Sequence, residues 1–334
     1  MDIFLYFFCS FMSGVLGAWL ILKWGRLFGL LDQSNSRSSH KGIVPKGGGI
    51  GILGAVVFAS VFLQTPFALW FSAAALSILS LLEDRVETSP KFRLSVQFTA
   101  ALCFLLPACY LYSDISFLSQ FASSPFCFVV CLSFLTVFIV GTANWYNFMD
   151  GINGIAAITA IVAFGLMALF NYISVGDSRF TILSICIAFS CLGFLPFNLP
   201  KAKVFMGDVG SILLGFIFAA FVVMISKGLF DFLCFAGFLF PFYADELITM
   251  SVRIRDGENL LRPHRRHFYQ ILANELGIDH WKVSAGYGLF QLIVGLSILL
   301  VRPHGILPVL ILLSAFFIGF ILANYVIRTK AAGI

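Results

Sequence analysis

The sequence predicts an all-α, polytopic integral membrane protein, and three observations predict it. Of the 334 residues, 60% are hydrophobic and only 11% are charged, whereas a soluble domain carries about a quarter charged residues. The apolar residues fall in long runs, and about twenty consecutive apolar residues suffice to cross a bilayer as a helix. The basic residues gather in alternate connections between those runs, the pattern that orients membrane helices.

The runs predict about eleven transmembrane helices, near 3–22, 47–64, 66–82, 93–112, 126–143, 154–172, 180–197, 209–226, 229–248, 283–301 and 305–326. The pair 47–64 and 66–82 is separated only by the break at Gln64-Thr65-Pro66. Pro107, Pro196, Pro241 and Pro308 fall in or near spans, where proline is better tolerated than in soluble helices. With eleven spans, eighteen of the 21 Lys and Arg residues share one side, against Arg179, Lys227 and Arg302 on the other. That bias puts the N-terminus outside and the C-terminus in the cytoplasm. The opening Met1-Asp2 lacks a basic region, so 3–22 reads as a first span and not as a removable signal. No internal repeat or soluble segment interrupts residues 1–334, which read as a single membrane-embedded domain.

Two function classes drop out on composition. The basic residues are scattered over short loops, with no stripe or stacking platform for nucleic acid. The eight cysteines all lie within apolar runs and form no Cys-x-x-Cys pair, as packing residues do.

The polar residues that remain are concentrated on the predicted cytoplasmic side. Asn144-Trp-Tyr-Asn147-Phe-Met-Asp150-Gly-Ile-Asn153-Gly154 lies between two apolar runs, and polar groups at a membrane boundary are costly unless they line a wet site. Segments 32–49, 83–93, 198–211 and 249–282 join it on that side. The carboxylates Glu83, Asp84, Asp150 and Asp208 all sit at predicted helix ends, as favourable helix-end charges would. Together they could hold Mg²⁺, which takes a few carboxylates plus water and phosphate oxygens. Lys41 and Lys46 flank a run into Gly47-Gly48-Gly49 at a predicted helix start, where backbone N–H groups and ammonium charges suit a phosphate. Arg262-Pro-His264-Arg265-Arg266-His267 suits pyrophosphate oxygens or lipid head groups. Phe268, Ile271, Leu272 and Leu276 mark one face of a short interfacial helix, and Phe205 offers a surface on which a base could stack. Chemistry confined to one face favours an enzyme. A transporter for lipid-linked substrates would carry ionisable groups within its spans, where the sequence places essentially none.

The motif order resembles the polyprenyl-phosphate N-acetylhexosamine-1-phosphate transferase superfamily, glycosyltransferase family 4. That family includes the phospho-MurNAc-pentapeptide translocase and the undecaprenyl-phosphate GlcNAc-1-phosphate transferases. The resemblance rests on Arg37-Ser-Ser-His40-Lys41 with Pro45-Lys-Gly-Gly-Gly49, on Glu83-Asp84, and on Asn144-x-x-Asn147-Phe-Met-Asp150-Gly-Ile-Asn153-Gly. It continues through Phe205-Met-Gly-Asp208-Val-Gly-Ser211 and Pro263-His-Arg-Arg-His267-Phe-Tyr-Gln270. The wording looks most like the branch that initiates O-antigen, lipopolysaccharide or related surface-glycan synthesis in the bacterial inner membrane.

The resemblance implies transfer of an amino-sugar 1-phosphate from a UDP-N-acetyl sugar to polyprenyl phosphate, with release of UMP. It implies Mg²⁺ (or Mn²⁺ in its place), a cytoplasm-facing site, membrane lipid as surroundings, and compatibility with a homodimer. Glu83, Asp84 and Asp208 are the implied catalytic residues, and Asp208, Asp84 and Asp150 the implied metal ligands. Asn147, Asp150 and Asn153 would line the nucleotide site, with Phe205 stacking on uracil. Lys41, Lys46, His264, Arg265 and His267 would hold phosphates or sugar. Two positions depart from the family: Glu83 and Asn153 stand where it has Asp. An Asn can pair with a uracil amide but cannot be a charged metal ligand, so a catalytically impaired relative stands as the alternative to an active transferase.

Overall fold

The computed structural model describes residues 2–33, 42–85, 88–111, 124–174, 176–259 and 264–331. It is a helical bundle in which one helix, α8 (Asp208–Ile225), is buried on nearly every side. A helix apolar all round has no face for water and belongs at the centre of a bundle. Around α8 pack α2 (Ile50–Phe62), α3 (Phe67–Glu83), α5 (Pro125–Phe148), α6 (Ile155–Ser174) and α9 (Leu229–Ala236). An outer layer contains α1 (Ile3–Trp24), α4 (Pro90–Leu111), α7 (Ser178–Asn198), α12 (His280–Val301) and α13 (Ile306–Ala331). α1 lies tightly on α7 because Gly14 and Gly193 leave room for the partner's backbone: a Cβ at Gly14 would fall 2.0 Å from the Ser190 carbonyl oxygen. Small residues serve this purpose in membrane helices generally. α13 buries only Val309, Phe320 and Asn324.

Local chemistry sets the helix limits. The Asp2 carboxylate caps α1 by accepting from the Phe4 N–H (3.2 Å), and the Asp177 carboxylate caps α7 by accepting from the Arg179 N–H (2.9 Å). Ser124 caps α5, with Pro125 in the first turn. The expected break between α2 and α3 is present, with Gln64 at φ 53° and Pro66 before α3. Pro241 divides another span. α9 ends at Ala236, one 3-10 turn follows, and α10 (Phe240–Arg255) continues.

Helices occupy all eleven expected positions among the described residues. Eight helical stretches are long and apolar enough to cross a membrane. α2 and α3, at 13 and 17 residues, are shorter, and α4 begins with Pro90, Lys91 and Arg93. The all-α class holds, with one small addition: β1 (Leu31–Gln33) and β2 (Ile43–Pro45) form an antiparallel hairpin pairing Leu31 with Pro45 and Gln33 with Ile43. Strands of three residues are too short to show an alternating pattern. Two further expectations need correction. First, α10 runs on to Arg255 and buries Asp245, Glu246 and Arg253, so this helical stretch does contain ionisable groups. Finally, the short helix after His267 is α11 (Phe268–Gln270) followed by a wide π turn, Ile271–Glu275. It buries Phe268 and Ile271 and leaves Leu276 exposed.

Candidate functional site

The ends of α3, α5 and α7 and the starts of α6, α8 and α12 meet around one cavity of about 280 Å³. Seven residues singled out from the sequence line it: Lys46, Asp84, Asn147, Asp150, Asn153, Phe205 and Asp208. Asp32, Asn198, Gln270 and His280 complete its polar wall.

The acidic side is built from helix ends. Asp84 caps the C-terminus of α3, and its Oδ2 accepts the Asp208 N–H (3.1 Å), tying α3 to the first turn of α8. Lys46 Nζ lies 3.0 Å from Asp84 Oδ1. Arg93, from the first turn of α4, pairs with Asp208 and holds Glu83 Oε2 at 3.3 Å. Burial and the Asp208 carboxylate raise the Asp84 carboxyl to about 6, against the lowering pull of Lys46. Asp150 is pushed well above the ordinary carboxylate range by burial and by the Asp208 and Asp84 charges. The rest of the lining adds amides, an imidazole and the Asp32 carboxylate. Asn153 donates its side-chain N–H to the Pro200 carbonyl (3.2 Å) and its backbone N–H to His280 Nδ1 (3.4 Å). Asn147 Oδ1 accepts the Ser211 hydroxyl (3.0 Å), and Ser284 donates to the Asn153 carbonyl (2.8 Å).

Other expected site residues lie elsewhere. Glu83 does not line the cavity; it faces Arg93 instead. Adjacent residues on a helix project about 100° apart, so only one of Glu83 and Asp84 can face in. The Gly47–Gly49 run does not present its N–H groups to a ligand. Gly47 and Gly48 donate to the Phe205 carbonyl (3.1 and 2.9 Å) and Gly49 to that of Met206 (2.9 Å). The glycines allow close packing instead: a Cβ on Gly49 would meet Gly210 Cα at 2.4 Å. His264, Arg265 and His267 do not line the cavity; among the described residues of their segment, Gln270 does. Burial, His267 and Arg253 push His264 down to about 4, so at neutral pH it is an uncharged imidazole. Lys41 lies outside the described residues.

Sequence reasoning gives no site role to Arg93, Asp32, His280 or Asp245, and names Gln270 only as the end of a motif. In the sequence Arg93 is one basic residue among many at helix ends, and Asp245, following Phe242-Tyr243-Ala244, is a polar outlier in an apolar run.

The model of glycosyl transferase family 4 matches residues 66–226. The chain is 31% identical over 273 residues to the undecaprenyl-phosphate alpha-N-acetylglucosaminyl 1-phosphate transferase of Thermotoga maritima, covering 80% of this chain and 81% of that one. It is 25% identical over 264 residues to a probable undecaprenyl-phosphate N-acetylglucosaminyl 1-phosphate transferase of Bacillus subtilis, covering 75% and 72%. It is 34% identical over 172 residues to the phospho-N-acetylmuramoyl-pentapeptide-transferase of Staphylococcus saprophyticus, about half of each chain (49% and 52%). This chain therefore belongs to glycosyl transferase family 4, the superfamily of polyprenyl-phosphate N-acetylhexosamine-1-phosphate transferases.

Proposed function

We propose that this protein transfers an N-acetylamino-sugar 1-phosphate from a UDP-sugar to undecaprenyl phosphate, releasing UMP, as the first membrane step of a surface glycan such as O-antigen. The observation that carries the reading is the mixed lining of the cavity. Lys46 and four aspartates (Asp32, Asp84, Asp150 and Asp208) share it with the amides of Asn147, Asn153, Asn198 and Gln270, the His280 imidazole and Phe205. The charged groups suit phosphoryl chemistry, which needs positioning and charge balance more than covalent catalysis. Amides suit the hydrogen-bonding edge of a uracil or an acetamido sugar. The relatives' names supply the lipid and the sugar class.

The acidic wall fits Mg²⁺. Among the described residues no three His, Cys, Asp or Glu groups close into a ready-made metal cluster. Mg²⁺ commonly uses one or two carboxylates and takes its other oxygens from water and phosphate, and the raised Asp84 and Asp150 carboxyls are groups that a divalent cation would relieve. Asp208, Asp84 and Asp150 would hold the ion, which neutralises charge developing on the diphosphate. In this reading a lipid phosphate oxygen attacks the β-phosphorus while the bond to the UMP oxygen breaks. Lys46 holds phosphate oxygens, Asn153 reads the base edge, and Phe205 stacks on it. Eleven crossings with the cavity facing the cytoplasm are part of the same proposal. Support comes from the charge bias and from the motif-bearing ends meeting at one end of the bundle.

The test is UMP release by the purified protein in detergent with undecaprenyl phosphate, Mg²⁺ and a panel of UDP-N-acetyl sugars. Release that needs lipid and metal, and that falls by orders of magnitude in Asp208→Asn, supports the reading and names the sugar. Protein that binds UMP but turns over no donor would favour an impaired relative.

A further inference from the structure

Asp245 lines no part of the cavity, yet its surroundings single it out. It is fully buried on α10, and a buried carboxylate is costly unless hydrogen-bonded. Here four donors converge on it. Oδ1 accepts from the Phe268 N–H (2.8 Å) and the Thr249 hydroxyl (3.1 Å). Oδ2 accepts from the Tyr269 N–H (3.3 Å) and the Tyr287 hydroxyl (2.7 Å). One side chain thus ties α10, α11 and α12 together at the loop that follows His267.

The loop reaches the cavity by two routes. Gln270 lines it directly, held by the His267 N–H donating to its Oε1 (3.3 Å). Tyr269, also fully buried, donates its hydroxyl to the Phe148 carbonyl (2.9 Å). Its hydroxyl also stands where a Gly151 Cβ would be, at 2.2 Å, so the turn carrying Asp150 is closed against it. We propose that Asp245 is a positioning residue: by fixing the 267–270 backbone it aims Gln270 and seats the 148–151 turn, and so sets how tightly the cavity holds the uridine nucleotide. This rests on the transferase reading for the identity of the ligand.

The substitution Asp245→Asn keeps the shape but replaces one acceptor oxygen with a donor: the hydroxyl on that side can turn to accept, but one backbone N–H, of Phe268 or Tyr269, is left without its acceptor. Tyr269→Phe removes only the hydroxyl that contacts Phe148 and Gly151, and covers the case in which the first variant does not fold. UMP binding by calorimetry on the full chain in detergent reads the effect without needing the sugar. Steady-state KM for the UDP-sugar and for undecaprenyl phosphate gives the split.

In Asp245→Asn the UMP Kd and donor KM should rise about tenfold, with the lipid KM within about twofold; Tyr269→Phe should move them about threefold the same way. Unchanged UMP binding in both variants overturns the proposal. So does a fall in kcat with both KM values unchanged and a lowered melting temperature, which is what a general packing defect produces. A wild type that binds UMP but turns over no donor sinks the transferase reading instead, and the UMP comparison still decides the role of Asp245.

Discussion

Lys46 and Asp84, both lining the cavity, form an ion pair at 3.0 Å that joins the segment before α2 to the end of α3. The lysine is the local counterweight to the burial and the Asp208 charge that raise Asp84 to about 6. Lys46→Met should therefore make Asp84 harder to ionise. The pH dependence of UMP binding to the metal-free protein should show an acidic limb near 6 in the wild type, displaced upward in the variant. A limb that stays in place would separate Lys46 from the titration of Asp84.

Arg93 should matter as much as the aspartates. It bridges Glu83 and Asp208, so removing it leaves two carboxylates with no cation between them. Arg93→Met should lower turnover about 10²-fold, the scale of losing one preorganised charge. Arg93→Lys keeps the charge without the fork and should fall between. Single-turnover UMP release on the two variants checks this.

Gly207 holds the approach of the 205–208 segment to Asp84. Its φ is +74°, and a Cβ there would lie 2.8 Å from the Gly47 nitrogen and 3.0 Å from Asp84 Oδ2. Gly207→Ala should lower both the melting temperature and kcat. Gly257→Ala carries a similar φ of +69° with nothing within 4 Å, and should show the backbone strain, about 1–3 kcal/mol, without the loss of turnover. Equal kcat in the two variants would rule out a role for Gly207 in placing Asp84.

His264 gives a stability signature. Its folded pKa of about 4 lies below the ordinary 6.5, so between those values the unfolded chain binds more protons. Stability from this group is present above pH 6.5 and is lost as pH falls toward 4. His264→Gln should flatten that part of the curve. Thermal unfolding in detergent at pH 7 and pH 5, compared between wild type and variant, measures it.

The sequence by itself determined the membrane class and the positions of the helices. These depend on transfer free energies summed along each segment, so composition and charge reveal them. It also identified seven of the residues that line the cavity, because amides, carboxylates and glycines beside apolar runs have few structural uses. The tertiary structure decided which neighbour faces inward. Asp84 lines the cavity and Glu83 does not, a difference of one residue and about 100° of helix rotation that composition does not report. It also decided that the glycine run packs against Phe205 and Met206 and that Gln270, not His264 or His267, lines the cavity. Arg93 joins Glu83 to Asp208, and Asp245 anchors a loop beginning 22 residues later in the chain. Each of these depends on contacts between segments distant in sequence, and a side chain's partner there is set by how the helices pack, not by its neighbours along the chain.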